Sequence, residues 1–497
     1  MSTDSLSPEV RPTDLPSGGE PSSNFLTRIS DRLDRLRDND WTFTFALALV
    51  ALLPRLFVAV AASREPVWDA HYYHFGAVRI AEGLGYSEDV RILGKLVSKP
   101  WCHYPVGYSA ALGLVYAVFG SGLLVGPLFG VFVGVLLVGV VHRLGRIFLS
   151  ENRARFAGTL AALHPGLIAY AALLMSEPFG ALLLLSAVLA RFAIKNQKLE
   201  LSVVGVVTGL SALVRPLSLG LLLVLPFAET RPLKRAAARL AVVFALAFAT
   251  ILPWTIRNCT VMDGCALIST NGGWNLAIGA ITKTGRFDAL KASDGCPNVT
   301  GQVQQDRCWA EVGVKKILAA PGAWLELAPK KLSQTYDHES FPIEYLHEAT
   351  PELWPEGRRA RGRDLLTYYH WLLIALASLS VVSLPIGARS RAALIVQGSL
   401  LGGLVLLLTY CFKSVEHPFY VPVAILPLLA LLPLPGRPAP RPAYAVLMGL
   451  LFLTSLSHAV FFGEDRYHMV VAPVLCLLAA SALRGPPRPL APLSVAR

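Results

Sequence analysis

The chain has 497 residues, 54% of them hydrophobic and only 16% charged, with a mean hydropathy of +0.52. Soluble domains carry about a quarter charged residues, so this composition excludes an ordinary soluble domain and indicates an all-α polytopic membrane protein. The 45 Lys and Arg against 33 Asp and Glu leave a charge of +12; because the basic residues fall in short loops between apolar runs, they read as topology signals, and no nucleic-acid-binding motif accompanies them.

Residues 1–40 are rich in Ser, Pro, Asp and Arg and lack an apolar core, which predicts a disordered cytoplasmic tail. Arg28, Arg32, Arg35 and Arg37 precede the first apolar run, about 41–62. That run is too long and too deep in the chain for a cleavable signal peptide, so it is expected to be an anchor with its basic end inside. Further runs fall at roughly 107–120, 122–142, 157–175, 178–194, 200–214, 216–228, 236–254, 366–386, 391–411, 418–435, 443–462 and 468–484. A spanning helix needs roughly 20 apolar residues, so about 11–13 transmembrane helices are expected.

Six basic loops then define the cytoplasmic side. They carry Arg143, Arg146, Arg153 and Arg155; Arg191, Lys195 and Lys198; Arg231, Lys234, Arg235 and Arg239; Arg389 and Arg391; Arg437 and Arg441; and Arg484 and Arg488. Outside lie the first outer loop 63–106, Glu177, the long segment 255–365, and the stretches 413–417 and 463–467. One parity conflict arises, because two runs separate the outer loop from Arg143. The run 107–120 is short and Gly-bounded, so a re-entrant or partly inserted segment is expected there. The resulting organisation is a tail 1–40, a transmembrane module 41–254, an extracytoplasmic segment 255–365 of mixed structure, a second bundle 366–484 and a cytoplasmic tail 485–497.

The segment 255–365 holds Cys259, Cys265, Cys296 and Cys308, four of the seven cysteines. Disulfides suit an oxidising periplasm or lumen. Four cysteines allow three pairings; proximity alone favours Cys259–Cys265 and Cys296–Cys308. Zinc is the alternative, but neither CxxC nor HxxxH spacing is present. Asn258-Cys259-Thr260 and Asn298-Val299-Thr300 match the glycosylation sequon, a short pattern that matters only in a eukaryotic host.

Three stretches concentrate chemistry at the outer face. The first, Glu65-Pro66-Val67-Trp68-Asp69-Ala70-His71-Tyr72-Tyr73-His74, follows the first run directly. A carboxylate there can act as general base toward a hydroxyl or amine, while the pattern from Ala70 to Gly83 predicts an amphipathic interfacial helix. Asp69 stands at its start, so a capping role is equally open. The second, Lys99 to Tyr108, brings Lys99, His103, Tyr104 and Tyr108 to a Pro-Val-Gly-Tyr turn, where basic groups can hold a lipid phosphate or form part of an aromatic belt. The third group consists of Glu177, Arg215, Arg257, Lys413 with Glu416 and His417, and Gly463-Glu464-Asp465-Arg466-Tyr467-His468. Cations at several outer span ends suit a phosphate leaving group; singly, each is an ordinary snorkelling anchor.

These features together resemble the GT-C superfamily of membrane glycosyltransferases: an anchor, an outer loop with Trp68-Asp69 and an interfacial helix, a Pro-x-Gly-Tyr turn, Pro253-Trp254-Thr255-Ile256-Arg257-Asn258, and a late Arg466-Tyr467. The nearest group in appearance is that of bacterial protein O-mannosyltransferases and lipid A aminoarabinose transferases. The resemblance implies an inner-membrane, multi-pass enzyme with a cytoplasmic N-terminus and a periplasm-facing site. Its donor would be a polyprenyl-phosphate-linked sugar, and its acceptor a protein, lipid A or a polysaccharide. It implies Asp69 as the base of an inverting transfer, with Lys99, His103, Tyr104, Glu177, Arg257, Arg466 and His468 as substrate- or phosphate-binding positions. Many relatives carry Asp-Glu at the first site, whereas Asp69 precedes Ala70; Glu82, Glu88 or Asp89 are candidates for the second acid. That departure also removes any DxD-type metal motif at the first site, so no metal or other cofactor is expected. A transporter or flippase for a lipid-linked or anionic substrate is the alternative. It predicts internal repeats and midplane charges, and no repeat is evident.

Overall fold

The computed structural model describes residues 40–229, 232–297, 301–382, 390–435 and 440–482. Both expected tails (1–39 and 485–497), Arg231, Arg389, Arg437, Arg484, Arg488 and the Asn298 sequon lie outside the described residues. The chain divides into residues 1–46 and 47–497; of the former only the opening turns of the first helix are described. What is described is an all-α polytopic membrane fold with one small β-hairpin.

In chain order, α1 (Asp40–Ala61) leads to α2 (Asp69–Ala81), the hairpin β1 (Ser87–Ile92) and β2 (Lys95–Pro100), then α3 (Val106–Phe119) and α4 (Val125–Phe148). Next come α5 (Glu151–Ala162), α6 (Pro165–Ala169), α7 (Glu177–Ala193), α8 (Gln197–Val214) and the single turn α9 (Leu221–Val224). The remainder comprises α10 (Leu233–Val261), α11 (Gly272–Ile281), α12 (Gln302–Ala319), α13 (Pro321–Tyr336), α14 (Phe341–Ala349), α15 (Glu356–Leu379), α16 (Arg391–Lys413), α17 (Tyr420–Leu431), α18 (Pro442–Val460) and α19 (Ala472–Ala482).

Among the described residues, six helices are long and apolar enough to cross a membrane: α1, α4, α8, α10, α16 and α18, or seven if the pair 165–172 and α7, bent by 118°, is one broken span. The sequence count of 11–13 also included short apolar runs, which fold as helices of 10–17 residues at α3, 216–228, α17 and α19. The run 157–175 is not one helix. Pro165 offers no amide hydrogen to continue α5, His164 caps α6 through Nδ1 at 3.3 Å from the Leu167 amide, and the turn into α7 follows. The buried Arg55 of α1 covers the open end of α5, donating to the carbonyls of Ala161 (3.0 Å) and Ala162 (2.8 Å). Residues 216–228 are likewise broken, into 3₁₀ turns around α9 beginning at Pro216 and next to Pro226.

Helix α3 is too short to cross. Its fourteen residues span about 21 Å, short of the roughly 30 Å hydrocarbon core. It packs along α2, with His74 Nδ1 2.8 Å from the Tyr116 hydroxyl. Ser63, just past the end of α1, donates to the Leu123 carbonyl just beyond α3 at 2.7 Å. The chain therefore leaves α3 beside the end of α1, and α4 is the next helix long enough to cross.

The basic loops meet one another. Arg191 pairs with Glu229 (2.9 Å), Arg239 with Glu200 (2.5 Å) and Glu229 (3.3 Å), and Arg441 donates to the Phe148 carbonyl (2.9 Å). On the opposite side the segment 255–365 is helical throughout most of its described length. The structure joins Cys259 to Cys265 and Cys296 to Cys308. Asp306 accepts from the Gly273 amide (2.7 Å), and Asp263 from those of Val303 (3.0 Å) and Gln304 (2.9 Å), so side chains satisfy the exposed amides at the starts of α11 and α12. Helix α15 starts inside this segment, ten residues before the expected 366, because Pro355 and Glu356 open it with a favourable acidic first turn.

Candidate functional site

Helix α2 places Asp69 by an unusual backbone step. Trp68, just before it, has φ +52°, a left-handed conformation that bulky residues rarely adopt. Aromatic packing holds it there: its ring lies 5.6 Å from Phe341 and 6.0 Å from Tyr345, both of α14. Asp69 does not cap the helix. Its Oδ1 accepts from the Tyr104 hydroxyl at 2.7 Å, and its Oδ2 pairs with Arg466 Nη1. The side chain remains 21% exposed.

Arg466 is the hub of the cluster. Its Nε lies 2.8 Å from Glu464 Oε2 and its Nη2 donates to the Tyr467 hydroxyl at 3.3 Å, while the guanidinium sits over the rings of Phe341 (5.3 Å) and Tyr467 (5.0 Å). Burial raises the Asp69 pKa, but the Arg466 charge and the hydrogen bonds from Tyr104 and Arg466 outweigh it, so the carboxyl stays below its ordinary range. For Glu464 burial wins over Arg466, with Asp465 and Asp69 adding repulsion, and its pKa rises. The two carboxyls on one guanidinium are thus shifted in opposite directions. Glu464 is the second carboxyl at Arg466. The sequence candidates do other work: Asp89 pairs with Arg79 (2.8 Å), Glu88 accepts from Gln302 (3.0 Å), and Glu82 ends α2.

His103 and Tyr104 stand beside this cluster. His103 packs edge-on to Tyr104 (5.1 Å) and Trp274 (5.8 Å). Burial lowers its pKa against the pull of Asp69. Tyr72 stacks on Trp101 at 5.8 Å, adding to an aromatic rim. Glu177 opens α7 and pairs with Arg215 at 3.1 Å. Arg215 lies 5.8 Å from the Tyr467 ring, whose other partner is Arg466, so this pair backs the first one. An apolar cleft opens next to Arg215 and Tyr467, walled by Leu184, Leu217, Leu450 and Leu453.

Five positions singled out in the sequence have other surroundings. Arg257 donates to the carbonyls of Tyr86 (2.6 Å) and Trp101 (3.1 Å) and stacks on Trp254 (4.7 Å), so it clamps the hairpin loop to α10. Lys99 sits on β2 opposite Glu88. His468 is fully buried, with Nδ1 on the Thr335 carbonyl at 2.7 Å. His417 bonds the Cys411 carbonyl (3.0 Å) and stacks on Trp371 (4.4 Å), while Lys413 is exposed. Sequence reasoning missed the hairpin, Glu464 as a partner of Asp69, and the contribution of α14. The acid beside Arg466 was the one available signal. Nothing local marks Phe341 and Tyr345.

No protein-family model matches this chain, and neither does any curated protein. Among solved structures, it is similar to the archaeal oligosaccharyltransferase AglB from Archaeoglobus fulgidus, determined with an inhibitory peptide and a dolichol-phosphate. The identity is 12%, the match covers 90% of this chain and 50% of that one, and the TM-score is 0.40. The chain therefore spans about half the length of that protein. It is also similar to ArnT from Cupriavidus metallidurans bound to undecaprenyl phosphate, at 14% identity over 88% of this chain and 76% of that one, with a TM-score of 0.35.

Proposed function

We propose that this protein transfers a sugar, hexose or pentose, from a polyprenyl-phosphate donor to an acceptor at the periplasmic face of the inner membrane. One observation carries the reading: a partly exposed carboxylate, Asp69, is held by a guanidinium, Arg466, that is itself suited to bind phosphate. The acceptor oxygen or nitrogen attacks the anomeric carbon and gives its proton to Asp69. The bond from that carbon to the phosphate oxygen breaks, its electron pair stays on the phosphate, and the configuration inverts.

In the free protein Arg466 depresses the Asp69 pKa, which makes the carboxylate a weak base. A donor phosphate that draws Arg466 to itself removes that restraint and strengthens the base as the leaving group is neutralised. Tyr104 keeps the carboxylate oriented meanwhile, and Glu464 limits how far Arg466 moves. The cleft beside Arg215 offers apolar walls for the polyprenyl chain and a cation at its polar end. With both Asp69 oxygens engaged by protein donors and the phosphate met by Arg466 and Arg215, the reaction as proposed uses no metal. Protein, lipid A and polysaccharide remain the acceptor classes.

Asp69→Asn tests the reading. Sugar transfer in membranes should fall by about 10²–10⁴-fold, with folding and binding of polyprenyl phosphate retained. Full transfer by that variant would overturn the mechanism.

A further inference from the structure

A second polar cluster lies on the same turn as Arg466, facing inward. Asp465 accepts from the amides of Ser340 and Phe341 (2.7 Å) and from the Ser340 hydroxyl (3.0 Å). These bonds fasten the 337–341 loop to residues 465–470 and bring Glu339 against His468. Glu339, His370 and His468 are all buried, with candidate ligand atoms within 4.8 Å of one another. The His370 and His468 rings stack at 3.9 Å.

The hydrogen bonds assign the tautomers. The His468 Nδ1–H donates to the Thr335 carbonyl at 2.7 Å, so its Nε2 carries a lone pair, aimed at Glu339 Oε2 3.4 Å away. The His370 Nε2–H donates to the Tyr336 carbonyl at 3.0 Å, leaving the Nδ1 lone pair. That Nδ1 and Glu339 Oε1 find no hydrogen-bond partner among the described residues. Buried polar atoms without partners call for an occupant. A proton shared by Glu339 and His468 would satisfy that contact alone and leave both orphans. A cation satisfies all three groups. Each imidazole also fixes its far nitrogen on a backbone carbonyl, the second-shell arrangement that orients metal-bound histidines. Nearby His164 is different: its Nδ1 accepts from the Leu167 amide, so its other nitrogen is a donor and not a ligand.

We propose that Glu339, His370 and His468 bind one transition-metal ion of the zinc class. The two imidazoles and one carboxylate match a His₂Glu donor set with its fourth position open to water. Tetrahedral ligation sets donor atoms about 3.4 Å apart, so small side-chain rotations within the cluster complete the site. The ion would pin the turn bearing Arg466 to α15 and the 337–341 loop. It touches neither substrate nor Asp69, and the inference stands apart from the transfer reaction.

The test uses the full chain in detergent, stripped with chelator, reloaded with zinc chloride, desalted and analysed for metal. About one zinc per chain is expected, and cobalt(II) in its place should give the visible bands of a four-coordinate ion. Glu339→Gln and His370→Gln should each lose the bound equivalent while remaining monodisperse. Retention below ~0.2 zinc per wild-type chain, or a full equivalent retained by either variant, overturns the proposal. If one variant does not fold, the other decides.

Discussion

Arg257 and Arg466 were both expected to contact phosphate, yet the structure gives them opposite partners. Arg257 meets the backbone carbonyls of Tyr86 and Trp101. Those acceptors are neutral and belong to a loop whose path depends on the bonds. Arg466 meets the carboxylates of Asp69 and Glu464 on a partly exposed surface. A phosphate can compete for a guanidinium that already holds anions, because one charged acceptor replaces another. It gains much less by drawing a guanidinium off neutral carbonyls, because a charge-assisted bond is lost at each of them. The partner, more than the cation, decides which arginine is free to serve a ligand.

Among substitutions that bear on this comparison, Arg466→Lys has the largest expected effect. An ammonium cannot reach Asp69, Glu464 and a phosphate in one fork, so transfer should fall about 10²–10³-fold with little change in donor-independent stability. Transfer assays beside thermal melts would show it, and unchanged transfer would remove Arg466 from the site. Arg257→Ala should do the reverse. Losing two charge-assisted bonds to the hairpin loop costs about 2–4 kcal/mol, which a melt would show as a lowered Tm, while the KM for donor in the folded fraction stays within about twofold. A large KM change with an unchanged Tm would make Arg257 a phosphate ligand after all.

Tyr104→Phe is expected to have a smaller effect. It removes a bond to the ionised form of Asp69, so the Asp69 pKa rises and the acid limb of the pH–rate profile moves up by up to about one pH unit. The sign follows from the direction of the shift. The folded Asp69 pKa lies below its ordinary 3.8, so its stabilisation is fully present above that value and is lost as pH falls through the depressed pKa. Tyr104→Phe should therefore weaken the protein at neutral pH and narrow that acid-side loss. An unmoved acid limb would argue that Asp69 does not control the rate. Smallest of all, Lys99→Ala should change transfer less than about twofold, since Lys99 faces Glu88 across the hairpin.

Composition and periodicity made the polytopic helical character and the helix beginning at Asp69 legible, because lipid exposure and charge placement are written locally along a chain. The short apolar run 107–120 folds as the fourteen-residue helix α3. The breaks at Pro165 and Pro216 had local signals as well. The identity of the second acid had only a weak one, and the clamp at Arg257 had none, because a backbone carbonyl leaves no trace in sequence.

The cluster itself is tertiary. Asp69 and Arg466 are separated by 397 residues, and the Glu339, His370 and His468 group joins three separate stretches. Hydropathy determined which runs are apolar enough to form membrane-crossing helices. Only packing decided which carboxylate met which guanidinium, because that choice depends on distances between segments that no local pattern encodes.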